Sequence, residues 1–342
     1  MTYNLALIGF GVVGQGLVEI LLESKEDLKA RYGFEYQLVA VSDKMKGSVY
    51  HPDGLDLQKL LEVVQKTGSI EEYDGALEKG WDSIETIKKS NADTIVEVSW
   101  TDVQSGEPAL THIKTALSLG KHVVMTNKGP IALEAPALME LAAANNAQLK
   151  FEGTVLAGTP AINLCLNNLA GAGITGIKGI LNGTTNYILT KMEKGLNYDS
   201  ALKQAQELGY AEADPTGDVE GWDALGKVVI MTNMVLGYPL TKNDVERVGI
   251  SRITSDDIQQ AKTEGKRYKL IASMTVQSDG SVKASVKPEK IPLTHPLAGV
   301  NGPTNALTFE TKYVEDITVI GPGAGKSATG FALLADLLEI NR

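Results

Sequence analysis

The stretch YNLALIGFGVVGQGLVEILL, residues 3–22, decides the fold. Its first six residues are a short apolar run, then glycines stand at 9, 11 and 14, then apolar residues recur at helical spacing as far as a closing glycine at 33. Strand, glycine turn and helix follow one another without a spacer. Glycines at this spacing fit a dinucleotide fingerprint: the first turns the chain, the second lets backbone approach a pyrophosphate, and the third lets helix pack on strand. The uncapped amides of the helix start then favour an anion. Gly9, Phe10, Gly11, Val12, Val13 and Gly14 are therefore the first candidate cofactor residues. The competing reading is a purely structural turn.

Outward from this turn, QLVAVSD (37–43) is a second strand ending at Asp43, whose carboxylate could accept hydrogen bonds from a ribose diol. That reading favours NAD, while Lys44 and Lys46 could attract a 2'-phosphate and keep NADP open. DTIVEVS (93–99) and HVVMTN (122–127) read as further strands, with helices at 107–119 and 132–146. Alternating strands and helices predict a parallel, doubly wound sheet of Rossmann type. Ser99 and Lys128 fall at the C-terminal ends of two of these strands, the edge where open α/β sheets bind ligands, which makes both candidate cofactor residues, although a lysine in such a place is more often a solvated loop residue. Between 44 and 92 the pattern supports only a helix near 82–90.

The character changes near residue 150. A proline-started helix from Pro160, a strand GIKGIL (176–181), helices at 184–194, 199–208 and 219–236, and two alternating runs, KRYKLIASMTVQ and SVKASVKPEKI, predict an α+β domain whose sheet leans antiparallel. The end, DITVIGPGAGKSATGFALLADLLEI, is again strand, glycine turn, helix. The expected organisation is a dinucleotide-binding domain over 1–150, a substrate-binding, catalytic and dimerisation domain over 151–316, and a strand and helix over 317–342 that return to the first.

A chain of 342 residues with formal charge −10 and no basic run disfavours nucleic acid and anionic membranes as partners. Small molecules and copies of itself are the expected partners. Cys165 is the only cysteine, which excludes an internal disulfide and suits a reducing compartment. Without a signal segment or a run of membrane-spanning length, the expected location is the cytoplasm. The four histidines lack metal-ligand spacing.

GPGAGKS (321–327) resembles a phosphate loop, but that motif needs a glycine at 320, where isoleucine stands. Gly321, Gly323 and Gly325 are read instead as a second glycine edge near the dinucleotide. AEADPTGDVEGWDALGK (211–227) places five carboxylates within twelve positions and then a lysine inside the apolar run ALGKVVIMTNMVL. Asp218 is read as the N-cap of a helix starting near Val219. Asp223 and Lys227 are four apart and share a helix face. An ammonium in such surroundings must pair, snorkel or line a polar cavity. A structural Asp223–Lys227 pair explains the lysine; it leaves Glu212, Asp214, Asp218 and Glu220 as surplus acids suited to a cationic substrate group. LNGTTNY (181–187) offers amides and hydroxyls at a helix start, at Gly183 and Thr184, for a carboxylate.

Taken in order, GFGVVG, TNKGP, FEGTVLAGTP, LNGTTNYIL, AQELGYAEADPTGDVEGWDALGK and GPGAG resemble homoserine dehydrogenases along nearly the whole chain. The stretch from Ala205 to Lys227 is the most specific of them. The resemblance implies reversible NAD(P)H-dependent reduction of L-aspartate 4-semialdehyde to L-homoserine, on the route to threonine and methionine, in a homodimer. It implies that Lys227 transfers the proton and that Lys128 is a second active-site lysine. Glu212 and Asp223 are implied as substrate-binding acids, Asp218 as a supporting acid and Gly209 as a backbone contact. Glu152 with the carbonyls of Val155, Ala157 and Thr159 matches a monovalent-cation site, for Na or K. Lys326 and Ser327 replace the small apolar residues of many relatives. Many relatives also carry an ACT or aspartate kinase domain, so threonine feedback through such a domain is not expected. Two other classes compete: a nucleotide hydrolase built on GPGAGKS, and a noncatalytic NAD-binding regulator.

Overall fold

A computed structural model describes residues 2–102 and 104–342. It divides into two compact units. One comprises the chain up to Gly158 together with Gly325–Arg342; the other is Thr159–Ala324.

In the first unit β1 (Thr2–Ile8) leads through the glycine turn into α1 (Val12–Tyr32), followed by β2 (Glu35–Asp43). Leu17, Leu21 and Leu28 are buried along one face of α1, and Gly33 closes the helix with φ 62°, its amide reaching Leu28 and Lys29 carbonyls. Then come β3 (Gly47–Tyr50), α2 (Leu57–Thr67), β4 (Glu78–Lys79), α3 (Ser83–Lys89), β5 (Thr94–Glu97), α4 (Ala109–Ser118), β6 (His122–Met125), α5 (Lys128–Ala144) and β7 (Leu149–Lys150). The sheet order is β4-β3-β2-β1-β5-β6-β7. β2, β1, β5, β6 and β7 run parallel, and β3 and β4 add an antiparallel edge. Central strands covered on both faces must be apolar throughout, and Leu5–Ile8 are all 0% exposed. The chain moves outward from β1 to β2 and then resumes on the other side at β5, so the strand order reverses between β1 and β5. Open sheets bind ligands at such a switch point.

The second unit opens with helical turns that widen to a π-helix at Leu164–Asn168. Helix from Pro160 onward was expected; Pro160 itself lies outside it. β8 (Ile174–Ile180), α6 (Gly183–Glu193), α7 (Tyr198–Glu207), α8 (Thr216–Val219), α9 (Trp222–Met234), β9 (Val245–Arg247), α10 (Ser255–Thr263), β10 (Lys266–Val276), β11 (Val282–Pro292), β12 (Thr304–Thr311) and β13 (Asp316–Pro322) follow. Its sheet runs β13-β12-β8-β10-β11-β9, and only the β11–β9 pairing is parallel. α11 (Lys326–Ile340) belongs to the first unit.

Three expectations need correction. The strand of the terminal segment does not rejoin the first sheet: β13 pairs antiparallel with β12, because seven consecutive residues find partners there, and only α11 returns. The single helix expected over 219–236 is two, since Gly221 takes a left-handed φ of 80° and breaks the chain between α8 and α9. Asp218 is consequently inside α8 and caps nothing. Residues 44–92 hold a helix, α2, and two short strands besides the expected helix.

Candidate active site

In the first unit the glycine turn has the shape its sequence implied. Gly9 sits at φ 103°, and a Cβ there would lie 2.6 Å from the carbonyl of Val98. A Cβ on Gly14 would meet the Gly9 carbonyl oxygen at 2.7 Å. A Cβ on Gly11 would have nothing within 4 Å. The second glycine thus borders open space, at a helix start that has no side-chain cap, which suits a pyrophosphate. Phe10 is fully buried, Val13 packs against the core and Val12 is 65% exposed, so this segment offers a ligand chiefly its backbone.

Asp43 stands at the end of β2 as expected, but its carboxylate is already engaged. Oδ2 accepts from Phe10 N at 2.6 Å, and Oδ1 accepts from Met45 N and Lys46 N at 2.9 and 3.1 Å. It ties the glycine turn to the second strand.

Sequence reasoning missed Glu97. This carboxylate ends β5 and is 0% exposed. Oε1 accepts from Ser99 N at 2.8 Å, Ser99 Oγ at 2.5 Å and Asn127 Nδ2 at 3.0 Å; Oε2 lies 2.7 Å from His112 Nδ1. One signal was readable: an acid inside the otherwise apolar TIVEV must be paired. Of the two predicted residues here, Ser99 lies two residues beyond the end of β5 and Lys128 opens α5.

The second glycine loop is divided. Gly321 and Gly323 lie in the second unit, where Cβ atoms would strike Thr159 and Asn305; Gly325, at φ 125°, caps α11 in the first. Lys326 pairs with Glu19 of α1 at 2.5 Å, which gives its charge a structural partner.

The second unit gathers the acid-rich stretch around one asparagine. Lys227 projects from α9 with 6% exposure, and its Nζ donates to Asp223 Oδ2 at 2.7 Å and to the Leu181 carbonyl at 2.6 Å. Asn182 Nδ2 donates to Asp223 Oδ2 at 3.0 Å and to Asp218 Oδ1 at 2.6 Å. Its Oδ1 accepts from Thr185 N at 2.9 Å, capping α6. Burial raises the Asp218 carboxyl above its usual range, a shift that the Asn182 hydrogen bond opposes. Thr184 Oγ1 donates to the Tyr210 carbonyl at 2.5 Å, which joins the α6 start to the loop after α7. Gly209 turns that loop at φ 74°.

The surplus of acids is smaller than the sequence suggested. Glu220 contacts Arg247 and accepts from Ser251, and Asp214 accepts from Thr216 N to fix a turn. Glu212 is exposed and stands outside the Asn182 network; Gln206 holds its main-chain carbonyl at 3.0 Å. Asn182 carries no local sequence signal of this bridging role, which depends on segments distant in sequence.

Glu152 opens a short 3-10 turn and is 3% exposed; Leu156 and Ala157 follow with φ 57° and 47°. Two successive non-glycine residues in left-handed conformation are costly and persist where surroundings impose them. A single carboxylate with reoriented carbonyls suits a hard monovalent cation. Among the described residues no group of three or more His, Cys, Asp or Glu side chains could hold a metal. Cys165 is buried.

A sheet switch point with an open glycine cradle suits a dinucleotide, and with the family matches it marks the chain as an NAD(P)-dependent oxidoreductase. A family model for the homoserine dehydrogenase NAD binding domain matches residues 9–152, and one for homoserine dehydrogenase matches 160–338. An NAD(+)-dependent homoserine dehydrogenase of Pseudomonas canavaninivorans is 45% identical, with 99% of this chain and 96% of the relative covered. A homoserine dehydrogenase of Methanocaldococcus jannaschii is 43% identical, with 98% of each covered. The structure of a hyperthermophilic archaeal homoserine dehydrogenase in complex with NADPH superposes with TM-score 0.85 at 31% identity, covering 99% of this chain and 97% of the other. The chain belongs to the homoserine dehydrogenase family.

Proposed function

We propose that Lys227 is the proton donor when this enzyme reduces L-aspartate 4-semialdehyde to L-homoserine. The observation that carries this is a lysine 6% exposed whose ammonium donates to the Asp223 carboxylate and the Leu181 carbonyl. Bound NAD(P)H supplies the hydride for the aldehyde carbon. The oxygen then gains negative charge, which Lys227 neutralises by giving up a proton, directly or through a water. Asp223 keeps the amine oriented beforehand, and Lys128 contributes a second positive charge to the developing oxyanion. Glu212, with Asp218 in support, holds the substrate ammonium; amides at Gly183 and Thr184 take its carboxylate, with Gly209 as a backbone contact.

On the coenzyme side, Gly9–Gly14, Ser99, Lys128 and the glycines at 321, 323 and 325 are proposed to bind the dinucleotide. Asp43 favours NAD over NADP, since its negative charge opposes a 2'-phosphate. Glu152 with the carbonyls of Val155, Ala157 and Thr159 is proposed to hold Na or K in a structural role. We assign the enzyme to the cytoplasm on its single buried thiol, which cell fractionation tests. A homodimer is proposed through the second unit, where Leu293, Tyr313, Val314 and Ile320 are each more than half exposed; light scattering of the purified protein would show a monomer if this is wrong.

The deciding assay follows reduced nicotinamide with the semialdehyde, NADH and NADPH in parallel. Oxidation faster with NADH is expected; no oxidation of either would leave only the noncatalytic regulator. A nucleotide hydrolase is disfavoured because Lys326 is paired with Glu19.

A further inference from the structure

Glu97 is an expensive residue to place where it is. A carboxylate removed from water inside a parallel strand costs several kcal/mol unless fully hydrogen-bonded, and an aliphatic residue would build the strand more cheaply. Its four contacts all come from groups that can donate to a carboxylate oxygen, His112 doing so in the tautomer that carries its hydrogen on Nδ1. His112 is 6% exposed, on α4, and fixes the carboxylate from behind. The groups it holds differ in kind: Ser99 and Asn127 are only half-buried. Both lie at the C-terminal ends of neighbouring strands, beyond β5 and β6.

Two details show what this arrangement gives up and gains. Asn127 occupies the N-cap position of α5, where its side chain would ordinarily stabilise the helix, yet it makes no capping hydrogen bond and turns its amide to Glu97 instead. Ser99 abuts the glycine turn: a Cβ on Gly9 would stand 2.7 Å from Ser99 N. With one Nδ2 hydrogen of Asn127 and the hydroxyl hydrogen of Ser99 committed to Glu97, the side-chain oxygens of both residues are set as acceptors, and Asn127 keeps its second amide hydrogen as a donor. Acceptors at the ligand edge suit donors such as a carboxamide NH2 or ribose hydroxyls.

We propose that Glu97 is a positioning residue for the nicotinamide end of the coenzyme, fixing Ser99 and Asn127 as acceptors for its carboxamide or ribose donors. This rests on reading Ser99 and Lys128 as coenzyme residues. Glu97→Ala is expected to raise the Kd for NADH, titrated by fluorescence, and its KM by about tenfold, with the semialdehyde KM unchanged within about twofold. Glu97→Gln should stay close to wild type, because its amide oxygen can still accept from Ser99 and Asn127. In a Ser99→Ala/Asn127→Ala background the further change Glu97→Ala should add less than about twofold, since nothing remains to position. A folded Glu97→Ala variant with wild-type NADH affinity would overturn the proposal. So would equal rises in both KM values, or a glutamine variant as poor as alanine. If Glu97→Ala does not fold, the Ser99→Ala/Asn127→Ala variant decides: wild-type NADH affinity there overturns the proposal and weakened affinity supports it. A wild-type enzyme that binds NADH but does not oxidise it with the semialdehyde defeats the functional reading alone, and the titrations still judge Glu97.

Discussion

Asn182 Nδ2 donates to Asp223 Oδ2 across 3.0 Å, meeting the same oxygen that receives the Lys227 ammonium. One oxygen therefore carries two donors, and the lysine is held in place from the start of α6 as well as from its own helix. Asn182 does two separable things, capping α6 and bridging Asp218 to Asp223. Asn182→Ala should lose both, with a cap loss of about 1 kcal/mol and a fall in turnover. Asn182→Ser can keep the cap without the bridge, so melting should recover while turnover stays low. Equal recovery of both would show that the bridge is unimportant.

Lys227→Ala removes the amine from a pair whose acid stays behind. Turnover should drop on the order of a hundredfold or more from lost proton transfer, while coenzyme titrates normally. Near-normal turnover in a folded variant would disprove the assignment.

Glu212 is exposed, so its substitution separates binding from stability. Glu212→Gln should leave stability within about 0.5 kcal/mol of wild type and raise the KM for the semialdehyde. An unchanged KM would remove Glu212 from the ammonium site.

The two glycines of GFG should fail differently. Gly9→Ala forces a side chain at φ 103° against the Val98 carbonyl and should destabilise the first unit by about 1–3 kcal/mol or more. Gly11→Ala meets nothing within 4 Å and should fold normally, yet bind coenzyme weakly because its methyl fills the cradle. Melting curves and coenzyme titration together distinguish the two.

Lys269 predicts an alkaline signature. It is 0% exposed, donates to Asn186 Oδ1 at 2.9 Å and the Val300 carbonyl at 2.6 Å, and burial pushes its pKa from 10.5 down to about 8, with Glu193 opposing the shift and Arg267 adding to it. Between those values the unfolded chain binds a proton that the folded chain does not, so this group makes stability rise with pH from about 8 to about 10.5. Below about 8 both states are protonated and the contribution is flat. The melting-temperature difference between wild type and Lys269→Met should grow over that window; a constant difference would contradict the depressed value.

What sequence determined by itself was local or periodic. The β1–turn–α1 unit, the parallel strands and the β10–β11 pair are legible because burial on both faces, glycine at positive φ and alternation each leave a pattern in consecutive residues. Asp223 and Lys227 were placed together correctly because four residues is one helical turn. α2 was legible but unread: Asp56 caps it, Gly68 ends it, and Leu57, Leu60, Leu61 and Val64 line its buried face. Tertiary structure alone decided the rest. Nothing local tells β13 to pair with β12, since an apolar strand fits either sheet. The acids near Lys227 look alike in sequence, yet Glu220 goes to Arg247, Asp214 to a turn, and Asp218 to Asn182, according to which partners the fold carries within reach. Glu97, Ser99, His112 and Asn127 meet only because adjacent strands and α4 bring them together. A hydrogen bond is decided by distance in space, and separation along the chain says little about it.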